Sequence, residues 1–247
     1  MIQPFTVTVP DALSTAFVGS LYYLDALRAL DTDVTVLLDP DVVCTAPISP
    51  EVLSANRNIG ALPLNYQADR EVNGLSRAQT MKVLARLGIR VAEPPVHWGG
   101  ECYVIPLARR DELLEHVTAA WADTLAHFDR LLPTCRTEEH LFNCALSRMG
   151  TEPLTGIVKR IWTTHRHRTV DGGERTIPLW HLPAEKGRGF TEVSRQALNP
   201  SSWFWTSNDE VFRRRIAKGM GMSRRSPLRW GTDTLGQSAN RILGPAR

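Results

Sequence analysis

Between Asp11 and Leu30 the apolar residues Leu13, Phe17, Leu21, Leu24 and Leu27 recur three or four apart. Asp11, just after Pro10, is a suitable N-cap, so this stretch is expected to form an amphipathic helix. Val34 to Leu38 reads as a fully buried strand, because its apolar residues are continuous rather than alternating. Ile59 to Leu64 is a weaker second strand. Leu75 to Leu87 has a helical pattern closed by Gly88. Cys102 to Leu107 reads as another short strand. Asp111 to Phe128 is the clearest helix, with Leu114, Val117, Trp121, Leu125 and Phe128 on one face. Thr137 is placed to cap a further helix that opens on Glu138 and Glu139 and buries Leu141, Ala145 and Met149. Ile157 to Thr163 and Leu179 to Leu182 are strand candidates, with the polar, glycine-turned "HRHRTVDGGER" between them. Ser207 and Glu210 have capping-box spacing for a last helix reaching Lys218.

Strands alternating with helices point to an α/β fold, with ligand sites at the carboxyl ends of the strands. The 247 residues suffice for one large domain or two small ones. A 43% hydrophobic and 22% charged composition excludes collagen-like, coiled-coil and low-complexity classes. No run approaches the ~18–20 apolar residues of a membrane span, and the N-terminus lacks the basic start and apolar core of a secretory leader. Four cysteines without a CxxC pair argue for a reducing compartment and against a disulfide framework or structural zinc. A cytoplasmic protein is expected.

The net charge of +3 is unevenly spread. From Asn208 onward the acids are Asp209, Glu210 and Asp233. Arg213, Arg214, Arg215, Lys218, Arg224, Arg225, Arg229, Arg241 and Arg247 oppose them. Such a segment is either a solvated tail or a contact for an anionic surface. The expected organisation is therefore a main α/β domain over 1–206 and a basic helix and tail over 207–247.

Three stretches carry candidate chemistry. The first is "TVLLDPDVVCT", where Asp39 and Asp41 flank Pro40 at the end of a strand. Two carboxylates one residue apart repel unless they serve a turn or turn together toward a hard cation such as Mg²⁺ or Mn²⁺. The second is "RTEEHLFNCAL", which sets Glu139 and Asn143 four apart on one helix face. Acids at that position also simply favour a helix N-terminus. The third is "LWHLPAEKGRGF", where His181 precedes Lys186 and Arg188 in a glycine-containing loop. Such a loop can bring a cation ligand and a phosphate-binding ammonium together, or can merely follow a core histidine.

Taken in order, the three resemble the retaining glycosyltransferases of the GT-A fold, particularly the glycogenin-like family 8. That family has a helix followed by a strand ending in DxD, then an Asn-Ala-Gly-like strand start, a "DQxxLN"-like helix and an "HxxGxxKPW"-like loop. The counterparts here are Leu21 to Asp41, "HWGGECYVIPL", "EEHLFN" and "HLPAEKG". The resemblance implies a GT-A-like (Rossmann-like) mixed sheet flanked by helices, and makes 1–206 the catalytic domain. It implies Mn²⁺ or Mg²⁺ on Asp39, Asp41 and His181, and a nucleotide-sugar diphosphate against Lys186, with Arg188 beside it. It also implies donor-sugar contacts from Glu138 and Glu139, with Asn143 at the motif's last letter. The sequence departs from the pattern in lacking the "PW", in spacing His181 and Lys186 one residue closer, and in its altered helix acids. Only 38 residues precede Asp39, so the first nucleotide-binding strand is expected to be missing, leaving a sheet edge that a second copy would cover.

The expected activity is thus metal-dependent transfer of a sugar from a nucleotide donor to an acceptor. A haloacid-dehalogenase-like phosphatase shares the strand–DxD opening, with Asp39 as nucleophile and Asp41 as general acid, but its late acidic motif is not found. A non-catalytic remnant acting as a scaffold through its basic C-terminus is the third reading.

Overall fold

The structure is a computed structural model and describes residues 21–54, 57–128, 130–164, 167–187 and 189–223. The expected helix start at Asp11, Arg188 and the basic tail past Ser223 lie outside the described residues. The elements run α1 (Tyr22–Ala29), β1 (Val34–Leu38), β2 (Val42–Cys44), α2 (Pro50–Ser54), β3 (Ile59–Leu64), β4 (Glu71–Val72) and β5 (Leu75–Ser76). Next come α3 (Arg77–Arg86), β6 (His97–Pro106), α4 (Leu107–His127), α5 (Glu138–Leu146) and β7 (Thr151–Pro153). The last are β8 (Val158–Arg160), β9 (Leu179–His181), α6 (Gly189–Ala197), α7 (Trp203–Thr206) and α8 (Asp209–Gly219). They form a mixed α/β protein whose sheets combine parallel and antiparallel pairs. The described residues divide into two units, one from 21–39 and 49–155 and the other from 40–48 and 156–223.

In the first unit the sheet order is β1-β6-β3-β7. The ten-residue β6 runs antiparallel to both β1 and β3, and β7 is parallel to β3. β6 is almost wholly buried, and its Tyr103 stacks on Phe142 of α5 at 4.5 Å between ring centroids. Leu27, Ile59, Leu84, Leu113 and Leu141 complete this core.

Two expectations change here. β1 is not buried on both faces: Thr35 and Leu37 point inward, whereas Val36 and Leu38 are exposed. Among the described residues it is an edge strand with one face covered, and a continuous apolar run cannot reveal that. α4 begins directly after Pro106 and buries Leu113, Val117, Ala120 and Thr124, while Leu125 is exposed. The inward face is thus turned by about one position, toward smaller side chains packing against α5. The sequence also holds an unforeseen capping box, in which Ser76 Oγ accepts from the Gln79 amide and Gln79 Oε1 accepts from the Ser76 amide.

In the second unit the sheet order is β2-β9-β8, with β2 antiparallel and β8 parallel to β9. Val43, Ile161, Trp180, Leu182, Val193, Ile216 and Met220 form its core. The N-cap of α8 is Asn208, whose Oδ1 accepts from the Val211 amide at 3.0 Å. Ser207 does not serve, because its own amide closes α7 on the Trp203 carbonyl.

Candidate metal centre

Asp41 lies one residue ahead of β2 and His181 is the last residue of β9. The antiparallel ladder opposes Val42 to His181 and continues past it, the Leu182 amide donating to the Asp41 carbonyl at 3.0 Å. On the other side of β9 the Ile161 amide donates to the His181 carbonyl at 2.8 Å. Backbone hydrogen bonds therefore hold both residues in place. Beyond Leu182 the chain enters a single 3₁₀ turn, Pro183–Glu185, which brings Lys186 back toward the strand end.

As a result His181 Nε2 lies 3.2 Å from Asp41 Oδ1, and Lys186 Nζ lies 3.2 Å from Asp41 Oδ2. Asp41 and His181 are buried, whereas the Lys186 side chain is 66% exposed. Burial works to raise the Asp41 carboxyl, but His181 and then Lys186 outweigh it and hold the group below the ordinary carboxylate range. Both contacts are close enough for charge attraction yet off the line of a good hydrogen bond. Neither buried Asp41 oxygen meets an aligned donor among the described residues. A buried, ionised carboxylate in that condition, next to an imidazole, is a donor set that suits a divalent cation.

Asp39 is at the end of β1 in the first unit. Its amide donates to the Glu101 carbonyl at 3.2 Å, and its Oδ1 accepts from Tyr23 Oη at 3.4 Å. The boundary between the units falls between Asp39 and Asp41, at Pro40.

Glu139 and Asn143 also belong to the first unit. They share one buried face of α5, as their spacing implies, and grip β6. Glu139 Oε1 lies 2.5 Å from His97 Nε2, and Oε2 accepts from the Gly100 amide at 2.9 Å. Asn143 accepts from the Trp98 amide at 2.6 Å and donates to the carbonyls of Trp98 and Glu139 at 2.7 Å each. Glu138 is half-buried in the same first turn.

The Gly100 amide is available because β6 is irregular there. Ala61 opposes Tyr103 and the next residue, Leu62, opposes Gly99, so Gly100 to Cys102 stand out of the β3 ladder. His97 and Gly100 were missed in the sequence. Paired glycines inside a strand pattern, as in "HWGGECYVIPL", are the signal that could have found the bulge.

Trp180, the residue before His181, is core. It is 1% exposed, and its indole N–H donates to the carbonyls of Glu174 and Ile177. A cavity of about 720 Å³ in the second unit has Trp180, Arg175, Arg213 and Arg214 among its lining residues, but not Asp41, His181 or Lys186. Comparison of the chain with protein-family models found no matching family, and comparison with curated proteins found no match.

Proposed function

We propose that the chain holds Mn²⁺ or Mg²⁺ on Asp41 and His181 and transfers a sugar from a nucleotide-diphosphate donor to an acceptor. The observation that carries this reading is the convergence of Asp41, His181 and Lys186, set by the β2–β9 register, around two buried carboxylate oxygens without an aligned donor. Asp39 is the further carboxylate assigned to the ion. Pro40 alone separates it from Asp41, a tether of about 7 Å at full stretch.

When bound, such an ion acts as a Lewis acid toward the departing diphosphate. Asp41 and His181 supply its fixed ligands. Lys186, exposed and with its ammonium at the carboxylate, is the group assigned to the phosphate oxygens, where positive charge offsets what develops as the glycosidic bond breaks. Arg188 is assigned the same duty. In the first unit, Glu139 is assigned to the donor sugar with Glu138 beside it, and Asn143 positions Glu139 through its main-chain carbonyl.

A thermal-shift screen of nucleotide sugars with and without Mn²⁺ tests the proposal. Ligands that bind the native state at a hundred times Kd stabilise it by about 2.7 kcal/mol. A rise in melting temperature for one donor class only when Mn²⁺ is present supports it. No response to any base, sugar and metal combination sinks it.

A further inference from the structure

Two of the most exposed apolar side chains among the described residues are neighbours in the second unit. Leu198, just past α6, is 85% exposed, and Trp205 in α7 is 61% exposed. The Trp205 indole N–H donates to the carbonyl of Ala197, the residue before Leu198, at 2.8 Å. Its ring also meets Phe204 edge-on, with centroids 4.9 Å apart. The exposed indole is thus held in one orientation beside the leucine. Burying either side chain would be favourable, and nothing within the described unit collects that energy.

A basic arc adjoins this point. Arg214, Arg215 and Lys218 are exposed on α8. At 100° per residue Lys218 lies about 40° around the helix from Arg214 and one turn on, and Arg215 about 100° from Arg214, so all three fall within an arc of about 100°. None of the three is ion-paired with a carboxylate among the described residues. The Arg215 guanidinium lies 5.5 Å from the centroid of the Trp203 ring, which joins the basic arc to the aromatic helix. The sequence beyond Ser223 adds Arg224, Arg225, Arg229, Arg241 and Arg247 against Asp233 alone.

We propose that this corner docks on an anionic lipid bilayer, with Leu198 and Trp205 entering the headgroup region and Arg214, Arg215 and Lys218 facing acidic headgroups. Charge complementarity supplies the attraction, about fivefold in partitioning per cation near such a surface. The chemistry of the point selects lipid over nucleic acid. A bilayer interface takes both an alkyl group and an indole as they stand, whereas nucleic acid would bury the leucine only by unstacking a base step, at a cost of its own. The indole N–H already has its partner in the Ala197 carbonyl, so insertion strips no hydrogen bond from water. The inference is independent of the metal centre.

Co-sedimentation of the full chain with phosphatidylcholine vesicles, with and without phosphatidylglycerol, tests it. Binding to the phosphatidylglycerol vesicles alone is expected, lost at high salt and accompanied by a blue shift of tryptophan emission. Leu198→Ser with Trp205→Ser should lower partitioning by about a hundredfold or more, and Arg214→Glu with Lys218→Glu should lower it by at least about 25-fold. Leu198→Ser alone, at an 85% exposed position, keeps the test open if the double variant loses its native melting transition. Equal binding to neutral vesicles overturns the proposal, as does no binding at all. So does binding indifferent to Leu198 and Trp205, which would assign the attraction to the tail. Self-association without vesicles that the same variants abolish would also overturn it.

Discussion

His181 Nε2 lies 3.2 Å from Asp41 Oδ1 because Val42 and His181 oppose each other in the β2–β9 ladder. Strand register brings the two backbones side by side, and Asp41, in the turn just ahead of β2 where strand alternation no longer applies, turns its carboxylate toward the imidazole. The hydrogen bonds at Asp41, Leu182 and Ile161 hold both backbones there, which makes the pair a rigid platform rather than a chance meeting of loops.

Replacing Asp41 by Asn removes the buried charge while keeping the shape. Mn²⁺ should raise the melting temperature of the native chain and leave that of Asp41→Asn unmoved. Without metal the variant should itself be less stable by ~1–3 kcal/mol, since His181 and Lys186 lose the ionised carboxylate they face. An undiminished Mn²⁺ response in the variant, measured by calorimetry, would remove Asp41 from the ion's ligands.

Lys186→Ala should weaken a nucleoside diphosphate far more than the corresponding nucleoside, because an ammonium distinguishes the two only at phosphate. Titration calorimetry with both ligands in Mn²⁺ decides the matter. Parallel losses would contradict the assigned role.

Gly100→Ala tests the bulge. A Cβ there would stand 3.3 Å from Glu139 Oε2, the atom that accepts the Gly100 amide. The carboxylate must give way, weakening the hydrogen bond and crowding a buried site, at a cost of ~1–3 kcal/mol. Urea unfolding of the variant should show the loss as a lower midpoint with an unchanged slope.

Asn143→Leu keeps the bulk but leaves the Trp98 amide and carbonyl without the partner that binds both. Two unsatisfied backbone groups predict a loss of ~2–5 kcal/mol. A variant as stable as the native chain would show that water or another group takes over.

His140 makes the first unit sensitive to acid. Its Nε2–H donates to the Val72 carbonyl at 2.9 Å, and Nδ1 accepts from the Arg136 amide at 3.1 Å, so only the neutral ring fits. Burial lowers its pKa to about 4 against the opposing pull of Glu139. An unfolded histidine titrates near 6.5, so between these values the unfolded chain holds a proton that the native one does not. Stability is complete above about pH 6.5 and falls toward pH 4 by roughly 1.4 kcal/mol per unit. Urea midpoints at a series of pH values should follow this slope, and His140→Gln should flatten it by one proton. An identical slope in that variant would assign the effect elsewhere.

Much of the chain's order was legible in its residues. The Val34–Leu38 and Leu179–His181 strands, the Glu138–Leu146 helix and the shared face of Glu139 and Asn143 follow from apolar runs and helical spacing. These are local properties, fixed by backbone sterics and by which side chains must leave water. The nomination of Asp41, His181 and Lys186 also rested on sequence, through residue chemistry and order along the chain.

Tertiary structure decided what depends on partners distant in sequence. The antiparallel register that joins Asp41 to His181, the single covered face of β1 and the turned inward face of α4 all depend on which strand or helix lies alongside. The bulge that frees the Gly100 amide for Glu139 likewise depends on how β6 meets β3. Hydrophobic periodicity says that a face is buried, but not against what. Pairing and packing are cooperative and long-range, so the buried polar contacts of both units became visible only in the assembled fold.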